Sequence, residues 1–305
     1  MSDAREFTLS DGTLVRPGIP FFITGAGRCG TTLMRRLVIE RTGAVIPPEN
    51  NSLASSVRML QAANGDWPVF CSLVVEHLGR YSGGLGHFGM DEAVFGLLAA
   101  LPAPRRNVAD FWHAFHAIYA TLVGKASGTR WGDKSPSNTV ELPCIVQIFP
   151  AARFVFMLRD VFDMAYSYGS MAIPRRSGQF LGGAKRWVLA SAKMVAFAEQ
   201  YPEQVLFLSY EDLVRTPDAS TQRVLDHLAL PIVEPVALNP MEARDIITHP
   251  HLGNVLGDVR PDFIGKGRAM LTVEQKQRIA AIAAPWQIRF GYEPNGLTPL
   301  PFPAN

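Results

Sequence analysis

Three short apolar runs, Pro20–Thr24 (PFFIT), Arg153–Leu158 (RFVFML) and Val205–Ser209 (VLFLS), read as strands buried on both faces. Helix-like sequence follows each of them. After the first, Leu33, Met34, Leu37 and Val38 recur on one face, while Arg35, Arg36, Glu40 and Arg41 fall elsewhere, and Gly43 is placed to stop the helix. After the second, Asp160 is a natural N-cap with Asp163 in the first turn, which predicts a helix to about Met171. Phe111, Phe115 and Tyr119 repeat at helix spacing within a predicted helix over Val108–Lys125. Ser135-Pro136 forms an N-cap and first-turn pair, and Thr272 with Gln275 has capping-box spacing before Ile279 and Ile282.

Strands that alternate with helices at these intervals pair in parallel through right-handed crossovers, so the pattern predicts an α/β sandwich of three layers with a central parallel sheet. Ligands in such sheets lie at the carboxyl ends of the strands. That rule selects three loops: Gly25–Thr32, Arg159–Asp163 and Tyr210–Asp212. No internal repeat or linker-like tract divides the 305 residues, and a single domain over 1–305 is expected.

Composition narrows the choice of partner. With 48% hydrophobic and 18% charged residues the chain is far from the signature of disorder. Its net charge is +2, too small for nucleic acid or an anionic membrane to be the obvious partner, so an anionic ligand must be held by a local cluster of basic residues. Cys29, Cys71 and Cys144 form no CxxC pair, which argues against a disulfide framework and a thiolate zinc site and fits a reducing compartment. Met1–Ser10 carries Asp3, Arg5 and Glu6 without an apolar run, and stretches such as Ala93–Leu101 fall short of the roughly 20 residues a bilayer requires. A cytoplasmic location is expected.

The sharpest motif is FFIT-GAGRCGTT-LMRRLV, a strand, a glycine-rich turn and a helix with the Gly-x-x-x-x-Gly spacing of a phosphate loop. Thr31 stands where a nucleoside-triphosphate loop carries its lysine, and the cation has moved into the loop as Arg28. Backbone N–H groups and a helix N-terminus can still receive a phosphate, but the loop is poorly built for a magnesium triphosphate.

PFFITGAGRCGTTLMRRL resembles the 5′-phosphosulfate loop of sulfotransferases that use 3′-phosphoadenosine 5′-phosphosulfate (PAPS). FVFMLRDVFDMAYSYGS resembles that family's 3′-phosphate segment through Arg159 and Ser167, LSYEDLVRTP its Tyr-Glu-Asp segment, and IGKGRAMLT its late basic-glycine loop. The resemblance implies a P-loop-like sulfotransferase fold, PAPS as donor, adenosine 3′,5′-bisphosphate (PAP) as product, and no metal. It implies nucleotide contacts from Gly27, Arg28, Cys29, Gly30, Thr31 and Thr32 at the 5′ end, and from Arg159, Ser167, Tyr210, Lys266, Gly267 and Arg268 elsewhere.

For the chemistry, Glu49 in IPPENN resembles the catalytic glutamate that tyrosylprotein and several carbohydrate sulfotransferases carry after the loop helix. His87 in GLGHFGM is a second possible base. WGDKSPSN is similar to the Lys-Asp-Pro-type segment of the tyrosylprotein branch, although Ser135 separates Lys134 from the proline, and Lys134 and Arg28 are the cations available to the leaving oxygen. The acceptor is expected to bear a hydroxyl, as a small metabolite, a tyrosine or a sugar. The mainly helical residues 52–125 are expected on its side of the site, with their aromatic content favouring an apolar alcohol. Two other readings stay open: a phosphate-loop nucleotide kinase, and a non-catalytic nucleotide-binding module.

Overall fold

The three apolar runs become adjacent strands of one parallel sheet. The computed structural model describes residues 5–171 and 178–293. A short antiparallel pair, β1 (Phe7–Thr8) and β2 (Leu14–Val15), precedes the central strands β3 (Phe21–Gly25), β4 (Gly132–Asp133), β5 (Arg153–Leu158) and β6 (Val205–Ser209). The sheet has the order β4-β3-β5-β6 with every pairing parallel. All five residues of β3 are buried, as expected for a strand covered on both faces. Across the sheet Phe22 stacks on Phe154 with centroids 5.3 Å apart. Each such phenylalanine contributes about 1.5–3 kcal/mol of burial free energy relative to exposure.

The sequence did not mark β4, because two residues carry no periodicity. Gly132 is required there by packing: a Cβ at that position would lie 2.3 Å from the Phe21 ring. With β4 on one side of β3 and β5 on the other, the order of strand addition switches sides at β3, the point where a crevice is expected at the carboxyl ends of the strands.

The helices are α1 (Thr31–Thr42), α2 (Ser56–Ala62), α3 (Trp67–Tyr81), α4 (Glu92–Ala99), α5 (Val108–Leu122), α6 (Leu142–Ile148) and α7 (Val161–Gly169). They continue as α8 (Phe180–Gln200), α9 (Tyr210–Arg215), α10 (Pro217–Leu228), α11 (Arg244–Thr248), α12 (Lys266–Met270) and α13 (Val273–Arg289). Helices α1 and α10 pack on each other and on the sheet, and α8 packs on β3 and against α6, α7 and α13. Among the described residues no helix is long and apolar enough to cross a membrane.

Local signals set several of these ends. Gly43 closes α1 at φ 64°, its N–H returning to the Ile39 carbonyl. Asp160 caps α7 by accepting from the Phe162 and Asp163 amides, and the Thr272–Gln275 capping box starts α13. Ser135-Pro136 opens a single 3-10 turn, Pro136–Val140, with no side-chain cap, because the Ser135 hydroxyl accepts from the Asn50 amide instead. Phe111, Phe115 and Tyr119 are fully buried on α5.

Candidate active site

The loop between β3 and α1 lies over the crevice. Gly27, Arg28 and Gly30 adopt φ of 75°, 59° and 88°. Glycine takes such values freely, whereas Arg28 takes them at a cost of order 1–3 kcal/mol, a strain typical of ligand-binding turns. At Gly30 a second constraint applies, since a Cβ would lie 2.7 Å from the Tyr210 ring. Gly30→Ala is therefore expected to destabilise the fold by about 2 kcal/mol or more, read as a lower Tm. An unchanged Tm would show that Tyr210 moves aside without cost. No side chain caps the N-terminus of the twelve-residue α1, and its first two residues, Thr31 and Thr32, line the crevice.

Two cavities meet at this loop. One, of about 560 Å³, is lined by Arg28, Gly30, Thr31, Thr32, Arg159, Ser167, Tyr210 and Lys266. Arg28 Nε donates to Ser167 Oγ at 3.1 Å. Arg159 donates to the Arg28 carbonyl at 3.1 Å and to the Phe263 carbonyl at 3.0 Å, and its guanidinium lies 4.1 Å from the centre of the Tyr210 ring. Its Nε is buried without a hydrogen-bond partner. Tyr210 thus supports Arg159 and Gly30 at the loop end of the cavity. The opposite wall comes from residues 252–263, including Val255, Val259 and Phe263, a segment with no recognisable sequence signal.

Other residues read from the sequence are placed differently. Cys29 is fully buried, and burial pushes its thiol up to about 12, so its side chain is inert and lines neither cavity. The Gly267 amide donates to Asp163 Oδ1 at 2.6 Å rather than toward the cavity, and a Cβ there would lie 2.1 Å from the Phe162 carbonyl oxygen. Arg268 pairs with Asp160, donates to the Glu293 carbonyl and lies over the Phe162 ring, outside the cavity lining. Asp163 also accepts from the Gly265 amide at 2.7 Å, so the basic-glycine segment is tied to the start of α7 and presents only Lys266 to the cavity.

The second cavity, of about 790 Å³, shares Arg28, Thr31 and Thr32 with the first and adds Glu49, Tyr81, His87, Tyr168 and Leu189. Lys134, one residue beyond β4, is fully buried, and its Nζ donates to Glu49 Oε1 at 2.7 Å and Thr32 Oγ1 at 3.2 Å. Glu49 keeps 42% of its side chain exposed toward the cavity. Lys134 does not pair with its sequence neighbour Asp133. Asp133 accepts from Asn138 Nδ2 at 2.6 Å, and burial pushes its carboxyl up to about 7. His87 lines the same cavity as Glu49, and burial lowers its imidazole below the ordinary histidine value, which favours the neutral form. Among the described residues no His/Cys/Asp/Glu cluster is arranged to hold a metal ion.

Arg35 and Asp245 are functional candidates that periodicity missed. Arg35 reads as part of a polar helix face but is fully buried, forking onto Asp245 at 2.9 and 2.8 Å. Asp245 Oδ2 also lies 3.8 Å from Lys134 Nζ.

The sequence profile of the Sulfotransferase family matches residues 20–235, and the chain belongs to that family. It is 22% identical over 212 residues to a Caenorhabditis briggsae protein named "Putative protein-tyrosine sulfotransferase", covering 68% of this chain. A Caenorhabditis elegans protein of the same name is 26% identical over 126 residues, or 40% of this chain. The chain spans 65% and 49% of the length of these two relatives. The fold is shared with two solved sulfotransferase domains. The one from the curacin biosynthetic pathway has a TM-score of 0.55 and 19% identity over 91% of this chain and 98% of that one. The one from the Synechococcus PCC 7002 olefin synthase has a TM-score of 0.52 and 17% identity over 93% of this chain and 98% of that one.

Proposed function

We propose that the chain transfers the sulfuryl group of PAPS to a hydroxyl acceptor by in-line displacement, with Glu49 as general base. The observation that carries this reading is the 2.7 Å Lys134–Glu49 pair, with Lys134 also bonded to Thr32, one of the residues at which the two cavities meet. One cavity suits the donor and the other the acceptor. The uncapped start of α1 and the unpartnered Arg159 Nε fit a ligand with two separate anionic groups. The loop amides and Arg28 would take the 5′-phosphosulfate, and Arg159, Ser167 and Lys266 the 3′-phosphate.

In the transfer, the acceptor oxygen bonds to sulfur as the bond from sulfur to the bridging oxygen breaks. The acceptor's proton passes to the Glu49 carboxylate, and the electron pair stays on the bridging oxygen that leaves with PAP. Arg28 and Lys134 are the cations beside that charge, the place where fixed electrostatic stabilisation acts most strongly. Tyr81, Tyr168, Met171, Leu189 and Leu252 line the second cavity, which supports a phenol or another apolar alcohol over a polyanionic sugar. A phenol is also consistent with relatives named for protein tyrosine.

Arg159→Ala tests the donor assignment. PAP affinity measured by titration calorimetry is expected to fall by about tenfold to a hundredfold, the scale of a lost charge-assisted contact of about 1.5–3 kcal/mol. Affinity equal to that of the unaltered chain would remove Arg159 from the 3′-phosphate site.

A further inference from the structure

Lys134 sits between two carboxylates, and only one of them can serve as the base. Both line the second cavity, but Glu49, at 2.7 Å, keeps 42% of its side chain exposed there, whereas Asp245, at 3.8 Å, is only 5% exposed and both its oxygens are held by Arg35. Arg35 is itself anchored to the Pro47 and Glu242 carbonyls, so α1, the loop before Glu49 and α11 meet at one buried charged cluster. The sequence of charges is Arg35, Asp245, Lys134, Glu49, alternating in sign.

This order matters during the proposed reaction. When Glu49 accepts the acceptor's proton it becomes neutral, and Lys134 would remain as a fully buried ammonium facing only the Thr32 hydroxyl. An unpaired buried charge is strongly unfavourable. Asp245 removes that difficulty, because it stays charged when Glu49 does not. Burial tends to raise the Asp245 carboxyl, but the charges of Arg35 and Lys134 outweigh it and leave it below the ordinary aspartate value.

We infer that Asp245 is the positioning residue that keeps Lys134 cationic and aimed at the leaving oxygen while Glu49 holds the transferred proton. This rests on the sulfotransferase reading above. Asp245 lies beyond residue 235, where the family match ends, so the family profile does not assign it.

The test compares Asp245→Asn and Asp245→Glu with the unaltered chain, using PAPS and a phenolic acceptor such as 4-nitrophenol. Asp245→Asn keeps the shape and one acceptor oxygen for Arg35 but removes the charge. It is expected to lower kcat by tenfold or more while PAP affinity and acceptor KM stay within about threefold, and Asp245→Glu is expected to restore part of kcat. A purely structural role would instead lower the folded fraction, with kcat per folded molecule unchanged, and that result would overturn the inference. Should the Asp245 variants not fold, the Glu49→Gln chain isolates the same contact, since its glutamine stands in for the proton-loaded base. With [15N]lysine labelling, a protected Lys134 ammonium signal at neutral pH, assigned by its loss in Glu49→Gln/Lys134→Met, is expected. Absence of that signal would overturn the inference. A failure of the sulfotransferase reading is seen separately, as an unaltered chain that neither binds PAP nor consumes PAPS.

Discussion

Glu49→Gln is expected to reduce turnover by about 10²–10⁴-fold, the range a positioned general base supplies, while PAP affinity changes by less than about twofold. The separation follows from the proposed assignment of the two cavities: Glu49 lines the second cavity and not the first, the one proposed for the donor. Glutamine preserves the length of the side chain and can still accept from Lys134 Nζ, which lies 2.7 Å from the carboxylate oxygen it replaces. What it cannot do is take a proton. Lys134 is fully buried, but the glutamine oxygen still accepts from it and Asp245 stays 3.8 Å away, so Tm should fall by no more than a few degrees. Steady-state kinetics with calorimetric PAP titration checks both halves. His87→Gln is the matched comparison in the same cavity. A full loss there combined with retained activity in Glu49→Gln would transfer the role of base to His87.

The parts of this site that sequence could reveal are those carried by a few consecutive residues. The β3–loop–α1 motif is legible because strand burial, positive-φ glycines and a following amphipathic helix coincide within about twenty residues. Arg159 and Ser167 are legible because a strand end and the helix that follows it bring both to the wall of one cavity, each bonded to Arg28. By contrast, Arg35 has the pattern of a solvent-facing residue, and only the approach of Asp245, 210 positions later, explains why it is buried. The same holds for Arg268, whose glycine-rich setting suggests a nucleotide contact although Asp160, 108 positions earlier, accepts from its Nε and Nη2. Long-range charge pairing of this kind leaves no periodic trace. The segment 252–263 is likewise invisible to motif reading, because its place in the wall of the first cavity depends on where α11 delivers the chain rather than on its own composition.

Lys134→Met is expected to lower kcat by about 10²–10³-fold, the effect of removing one fixed positive contact from a developing oxyanion. Methionine is nearly the length of lysine and suits a fully buried position, so the cavity keeps its shape. The substitution leaves two carboxylates, Glu49 and Asp245, without the cation that stood 2.7 and 3.8 Å from them. Asp245 retains its two-pronged bond to Arg35, which limits the loss of stability, while Glu49 can turn toward solvent. A Tm drop of a few degrees with a folded, PAP-binding chain is therefore the expected physical state. The separate roles of the two catalytic candidates can then be read from the double variant. If Lys134 and Glu49 act in one transition state, Glu49→Gln/Lys134→Met should lose much less than the product of the two single effects, because each group is effective only when the other is in place. Strictly multiplicative losses would mean that Lys134 stabilises bound donor independently of the proton transfer, and its place beside Glu49 would then be a matter of packing rather than of chemistry.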